Sequence, residues 1–417
     1  MYVKGTKLID KNGRIINDSL DRVILAMPHE AFAPSFERAV RAFVCSYIYK
    51  VEILHPDETP CMDISEYVLE DTLSYSQQFQ EGQSRSLSFD LYDEKHEFFP
   101  SPVGRIWFGT KVRILFGLLV DDSVYYFQKG IFAVKDCSYN NNILSIQFAD
   151  KFGFLDGSIS GAAESEYKLQ PGTPVKTAIE SLLYMKDADG NNIYDSKRIV
   201  FPEKYETTTI PYTVTANPGS NIGNIILELA EIISCTVYYD DYGSMVFEPS
   251  EELSSFEKRP IMWRYADKEY QFSDSRLHIN FANVYNKIMV VGSNINGYIC
   301  KYTAENTNPA SPTSIDKNPI RFKYISDSNI YNDDLCKTRA EYELQKQSLL
   351  STPLSFRSIY IPFLTVNDIV TYTDRSIRYH NDAEMFNDEN LLITGISIQN
   401  GEMNIDSKNI KELPFYG

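Results

Sequence analysis

The sequence predicts a mainly β chain in which a small α+β domain sits between two β-rich regions. Three observations carry this. Tyr (29) and Phe (24) are abundant among 417 residues, and aromatic side chains fit a pleated, half-buried surface. Period-two alternation recurs through the first third and again near the end; it marks strands with one buried and one wet face. Between these regions, about residues 160–255, two apolar stripes fall at helical spacing and a hairpin follows them.

Residues 1–43 read as an N-terminal extension or arm, with a turn at Lys11-Asn12-Gly13 and a helix over 31–44 that places Phe32, Phe36, Ala39, Val40 and Phe43 together. A first β domain is expected over 44–158. In Arg85–Tyr92, Leu87, Phe89 and Leu91 face one way while Ser86, Ser88 and Asp90 face the other. Further strands are expected at 47–53, 62–64, 73–76, 111–116, 124–134 and 144–148, the last preceded by the turn Asn140-Asn141-Asn142. The α+β domain is expected over 159–275. Thr173 as cap and Pro174 at the first helical position open a helix with Val175, Ala178, Ile179, Leu182 and Leu183 on one face. A second helix from Ser220 carries Ile222, Ile225, Ile226, Leu229, Ala230 and Ile233, and a hairpin turns at Asp241-Tyr242-Gly243. The second β domain is expected over 276–417. It contains a strand at 284–292, a loop at 306–318, a helix over 333–350 with Leu335, Tyr342 and Leu349 every seven residues, and strands at 354–361, 368–372 and 391–398. Asn400-Gly401 then turns a hairpin. The acid-rich run Asn381–Asn390 reads as an exposed loop, and Asp121-Asp122 and Asp240-Asp241 as turn acids. A weak repeat links 111–114, 130–134 and 143–146 with 368–372, 391–396 and 403–405, similar in order and spacing more than in identity.

Charge and composition narrow the function. Forty Lys and Arg against 57 Asp and Glu give a formal charge of -17. That argues against coating nucleic acid or binding anionic lipid, since both need a basic surface. The six cysteines form no C-x-x-C pair and read as free thiols of a reducing compartment. No apolar run follows the first lysines, as a secretory signal requires. The longest apolar stretch, Ile114–Val120, is far short of the roughly 20 residues of a membrane helix. No catalytic residue, metal ligand or cofactor site is expected. Asp187, Asp189 and Asn191 begin like a calcium loop, but Gly190 comes too early and Arg198 stands where a bidentate Glu belongs. Gly157-Ser158-Ile159-Ser160-Gly161 centres on Ile, so it is no nucleophile elbow. The histidines His29, His55, His96, His278 and His380 are isolated. The aromatic runs Phe98-Phe99-Pro100 and Trp107-Phe108 read as core or interface packing, with sugar binding as the functional alternative.

The order of parts resembles the baseplate hub, or tail-hub, proteins of tailed bacteriophages and prophage tails. The segments 63–68, 73–76 and 82–89, with Trp107–Ile114 and Tyr126–Phe132, are similar to their first tube-like domain. Ile210–Val214 and 223–247 are similar to their middle domain, and 284–292 with the helix from Asp333 to their second tube-like domain. The resemblance implies two tail-tube-like β-barrel domains flanking the α+β domain. It implies a homotrimer in which six similar barrels match a six-fold tail tube or distal tail protein above, and a three-fold spike, fibre or tail tip protein below. DNA would pass through the channel without specific binding, and no membrane is involved. The protein would be part of the virion tail, assembled in the bacterial host cytoplasm, and not an enzyme. The candidate interface residues are Phe98, Phe99, Trp107, Phe108, Phe363 and Leu364. The alternatives are a carbohydrate- or receptor-binding tail module using aromatics near Trp107 or Trp263, a tail-associated cell-wall hydrolase, and a hexameric distal tail protein.

Overall fold

The architecture was read from a computed structural model. It describes residues 6–7, 25–26, 38–41 and 47–410, apart from 81, 83, 121, 187–189, 191–192, 196–198, 250–258, 267–270, 280, 296, 310, 328–329, 331, 349–352 and 379–383. The turn at Lys11–Gly13, the calcium-like run at 187–191 and most of the 31–44 helix lie outside these residues; within that helix, 38–40 are helical. The strands are β1 (Thr6–Lys7), β2 (Leu25–Ala26), β3 (Ile48–Leu54), β4 (Pro60–Asp63), β5 (Ser74–Gln78), β6 (Arg85–Tyr92), β7 (Lys111–Val120), β8 (Ser123–Asn140), β9 (Ile143–Asp150), β10 (Tyr167–Leu169), β11 (Val214–Ala216), β12 (Cys235–Tyr239), β13 (Met245–Pro249), β14 (Ile261–Ala266), β15 (Phe272–Leu277), β16 (Lys287–Ile295), β17 (Tyr298–Glu305), β18 (Phe322–Ser326), β19 (Leu354–Ser358), β20 (Ile369–Arg378), β21 (Glu384–Gln399) and β22 (Glu402–Asn409). The helices are α1 (Val175–Leu183), α2 (Ile222–Ile232) and α3 (Asp333–Gln347). The chain is thus mainly β with an α+β part, as expected.

The chain forms two compact units. The first comprises 1–250, 357–367 and 394–405; the second comprises 251–356, 368–393 and 406–417. In the first unit the strands run in the spatial order β4-β3-β7-β8-β9-β6-β5, and β5 then pairs with residues 395–399 of β21. Among the described residues no pairing closes this path into a barrel. The alternation in β6 does what its pattern requires. Leu87, Phe89 and Leu91 are at most 1% exposed while Ser86, Ser88 and Asp90 are not buried. Each such side chain contributes roughly 1.5–3 kcal/mol by leaving water. The β8–β9 turn uses Asn141 and Asn142 at φ of 49° and 64°, the left-handed values that a two-residue hairpin needs and that Asn tolerates.

The same unit holds the α+β part. The α1 stripe Val175, Ala178, Ile179, Leu182 and Leu183 and the α2 stripe Ile222, Ile225, Ile226, Leu229 and Ala230 share one core with Val237, Tyr239, Met245 and Phe247 of the β12–β13 hairpin. The caps differ from expectation. The α1 cap position is Pro174, not Thr173, and α2 begins at Ile222 behind Asn221 rather than at Ser220; neither cap side chain bonds to its helix. Asn221 instead donates Nδ2 to the Asp156 carbonyl at 2.7 Å. Gly223 lets α2 approach the chain at Leu155, whose carbonyl accepts from the Gly223 N–H at 2.7 Å.

In the second unit, β14 pairs in parallel with β20, which pairs antiparallel with the first part of β21. Tyr265, Phe272, Phe356, Tyr372 and Phe386 form a chain of ring contacts, with centroids 4.7 Å apart for Phe272–Tyr372 and 5.0 Å for Tyr265–Phe356. A separate three-stranded sheet, β17-β16-β18, buries Ile288, Val290, Cys300 and Ala304 against Cys336 and Ala340 of α3. This corrects the reading of that helix. It ends at Gln347, and its inward face is Cys336, Ala340 and Leu344, at i, i+4 and i+8; Leu335 is 38% exposed. The run 381–390 is also corrected, because 384–390 belong to β21. Its acids sit on a paired strand because the antiparallel ladder with β20 takes up their backbone.

A Cβ at Gly223 would lie 2.9 Å from the Phe152 ring and 3.0 Å from the Leu155 carbonyl oxygen. Gly223→Val should therefore overpack this contact and cost about 1–3 kcal/mol. Urea denaturation should show a lower midpoint at an unchanged slope.

Candidate interface and its buried anchor

The candidate interface is the loop between β6 and β7, residues 93–110. Its shape comes from short-range bonds. Asp93 Oδ2 accepts from the Phe98 N–H at 3.1 Å. The Trp107 N–H donates to Thr110 Oγ1 at 2.9 Å and the Thr110 N–H returns to the Trp107 carbonyl at 3.0 Å. Gly109 occupies φ of 79° in that tight turn, a conformation open to glycine. Ile106 points inward with no exposure.

The six sequence candidates divide in two. Phe99, Trp107 and Phe108 are 48%, 43% and 74% exposed, and Val103 beside them is 96% exposed. Phe98, Phe363 and Leu364 lie inside the first unit. Phe98 packs edge-on against Tyr67 at 4.9 Å, and Phe363 lies tilted against Phe127 at 5.9 Å. The Leu364 carbonyl accepts from Lys129 Nζ at 2.6 Å. These three hold the framework and present no surface. The exposed rim borders a groove of about 990 Å³, reached by Leu54, Met62, Arg105, Phe108, Lys111 and Tyr194.

Next to this groove lies a buried ionic cluster that no motif announced. Lys151 is 1% exposed. Its ammonium meets Glu58 Oε1 at 2.8 Å, Asp195 Oδ2 at 2.8 Å and the Gly243 carbonyl at 2.8 Å. The Tyr239 ring lies 5.0 Å from it. An ammonium has three donors, so three acceptor groups saturate it. Lys111, from the groove, adds a second cation 2.8 Å from Glu58 Oε1. Two lysines and two carboxylates make the cluster neutral. Glu58 reaches it from the β3–β4 turn at φ of 66°, an uncommon conformation for a residue with a side chain.

A second pair works beside it. Arg85 of β6 donates Nη2 to Asp241 Oδ1 at 2.7 Å and Nη1 to the Tyr239 carbonyl at 2.5 Å. Asp150 accepts the N–H groups of Ser84 at 2.8 Å, Arg85 at 3.0 Å and Phe152 at 2.9 Å. Burial raises the Glu58 pKa, but Lys151 and then Lys111 outweigh it and hold the group at about 2. Burial dominates at Asp150 and raises it to about 6 against those hydrogen bonds. Burial also disfavours the Arg85 cation, but Asp241 more than offsets it, and its pKa is raised. Asp241, expected as a simple turn acid, is thus an ion-pair partner. The turn acid is Asp240, whose Oδ1 accepts the Tyr242 and Ser244 N–H groups at 2.9 and 2.8 Å.

The model of a domain of unknown function (DUF5048) matches residues 313–406. No curated protein matches the chain. Among solved structures, the 43 kDa tail protein of prophage MuSo2 from Shewanella oneidensis aligns with a TM-score of 0.56 at 12% identity, over 87% of this chain and 98% of that one. A tail protein from Neisseria meningitidis MC58 aligns with a TM-score of 0.57 at 11% identity, over 88% and 98%. Prophage tail protein gp18 from Listeria monocytogenes EGD-e gives 0.51 at 14% identity, over 86% and 94%. The chain has a β-rich tail-protein fold.

Glu58→Gln should destabilise the protein by about 3–5 kcal/mol near neutral pH, since it breaks a buried pair from one side. The sign with pH follows from the lowered pKa. The stability from Glu58 is present above about 4.5 and lost as pH falls through about 2. Denaturant melts of parent and variant should therefore converge toward pH 2. Asp150 runs the opposite way: its raised pKa favours the fold below about 3.8 and withdraws that stability as pH rises through about 6.

Proposed function

We propose that the chain is a structural tail hub. Three copies form a ring that adapts a six-fold tail tube, or a distal tail protein, to a three-fold spike, fibre or tip, and the ring encloses a channel for DNA. The chain has no catalytic role in this reading. It acts as part of the virion tail, after assembly in the host cytoplasm.

One observation carries the proposal. The tail-protein fold accounts for nearly the whole of the chain and nearly the whole of the tail proteins compared with it. The weak sequence repeat supports the ring. The segments β7-β8-β9 and β20-β21-β22 are each three successive strands with neighbours paired, and in each a two-residue left-handed turn, Asn141-Asn142 or Asn400-Gly401, joins the last two strands. Two related β domains per chain, over 44–158 and 276–417, would give six per trimer and so imitate a hexagon. The charge of -17 suits a bore that phosphate must traverse without sticking.

Sedimentation equilibrium of the full chain should give three times 47.8 kDa when it is alone, or three copies of it in the complex formed on adding tube protein. Six copies would indicate a distal tail ring instead, and a single copy under both conditions would overturn the hub. A second reading, a receptor-binding tail module, draws on the exposed Trp107 and Phe108 beside the groove. Trp107→Ala with Phe108→Ala should leave cell-wall polysaccharide binding unchanged if the hub reading holds; a large loss of binding favours the module.

A further inference from the structure

The β16–β17 ladder of the second unit is interrupted once. It pairs Val291 with Lys301 and Asn294 with Ile299. Gly292 and Ser293 therefore stand opposite a single residue, Cys300. Two residues against one make a β-bulge, which bends its strand and re-aims the side chain at that point. Here that side chain is Cys300, 1% exposed and part of the core shared with α3. The bulge is shaped around its sulfur. A Cβ at Gly292 would collide with Cys300 Sγ and with the Ile330 carbonyl oxygen. The same carbonyl accepts from the Ser293 N–H at 2.7 Å, from Ser293 Oγ at 2.9 Å and from Cys300 Sγ at 3.4 Å.

The helix brings a second sulfur to the same place. Asp333, the first residue of α3, accepts the Lys301 N–H at 3.0 Å and the Tyr298 hydroxyl at 2.6 Å. These bonds seat the start of the helix on β17 within two residues of Cys300. Cys336 follows three positions later, on the same helix face, and is fully buried in the same core. The Gly292 N–H bonds to the Cys336 sulfur, so one glycine of the bulge meets both thiols. Burial, and then the neighbouring Cys300 thiol, raise the Cys336 pKa. The five described cysteines are free, and these two lie in one unit.

We infer that Cys300 and Cys336 form a dithiol that a peroxide closes to a disulfide, stapling α3 to β17. One thiolate attacks the O–O bond of hydrogen peroxide, becomes a sulfenic acid and releases hydroxide, which takes up the proton that the thiol gave. The other sulfur then displaces the sulfenic hydroxyl as water. The two thiols lose two hydrogens with their electrons, and the peroxide is reduced to two waters. Burial and the raised Cys336 pKa keep thiolate scarce, so closure is slow in the folded protein. The inference concerns a single chain and does not rest on the hub reading. If that reading holds, the pair stays reduced in the cytoplasm and closes after release.

The test treats the full chain with hydrogen peroxide. The protein is then unfolded in an alkylating agent, digested without reductant and read by mass spectrometry. The expected product is a peptide pair joined through Cys300 and Cys336, lighter by two hydrogens than the free pair and separated by dithiothreitol. Oxidation should raise the thermal transition of the parent by several degrees, because the staple closes the long loop 300–336. It should not raise that of Cys300→Ser or Cys336→Ala. If Cys300 and Cys336 are both recovered alkylated once the exposed Cys61 is fully oxidised, the inference is wrong. It is equally wrong if either sulfur is found joined to another cysteine instead. A linked pair that forms only as the far-ultraviolet circular dichroism of the fold is lost would come from the unfolded chain, and would also overturn the staple.

Discussion

The first unit depends on one buried ammonium. Lys151 follows β9 directly, as the first residue of a 3-10 turn over Lys151–Phe154, yet two of its three acceptors, Asp195 and the Gly243 carbonyl, come from the α+β part. The third, Glu58, comes from the β3–β4 turn. One side chain therefore fixes three segments that are far apart in sequence. A charge this deep is tolerable only if every donor is met and the net charge is near zero, and Lys111 and the two carboxylates satisfy that condition. The same condition makes the junction exact in register, because a shift of one residue would leave a charge unpaired in a dry site.

Local strain is placed where the cluster needs it. Glu58 has a left-handed backbone, and Gly243 another at φ of 80°. A Cβ at Gly243 would meet Ile131 Cδ1 at 2.8 Å, with Glu58 and Lys151 atoms at 3.3 Å. The glycine thus admits its carbonyl to the ammonium, which no bulkier residue in that turn would do. Asp240 braces the turn from one side and the Arg85–Asp241 pair from the other. Beside these bonds the apolar stripes of α1 and α2 supply burial, which is large but undirected. The polar junction supplies direction.

This division explains what the sequence made legible. Strands such as β6 and helices such as α1 were readable because one face of each is wet, and the alternation records it. Hairpin turns at Asn141-Asn142 and Asn400-Gly401 were readable because left-handed backbone restricts the residues allowed. The α3 face was misread because Cys336 and Ala340 are small, and the larger Leu335 and Tyr342 drew the heptad; packing against a sheet selected close approach over bulk. The run 384–390 was misread because its acids sit on strand β21, which its ladder with β20 holds in place whatever the side chains prefer. The cluster of Glu58, Lys111, Lys151 and Asp195 gave no signal. Its members are separated by dozens of residues, and each alone looks like a surface charge. Of the interface candidates, Phe98 and Phe99 are neighbours of equal hydrophobicity, and only the fold decides that one is core and the other rim.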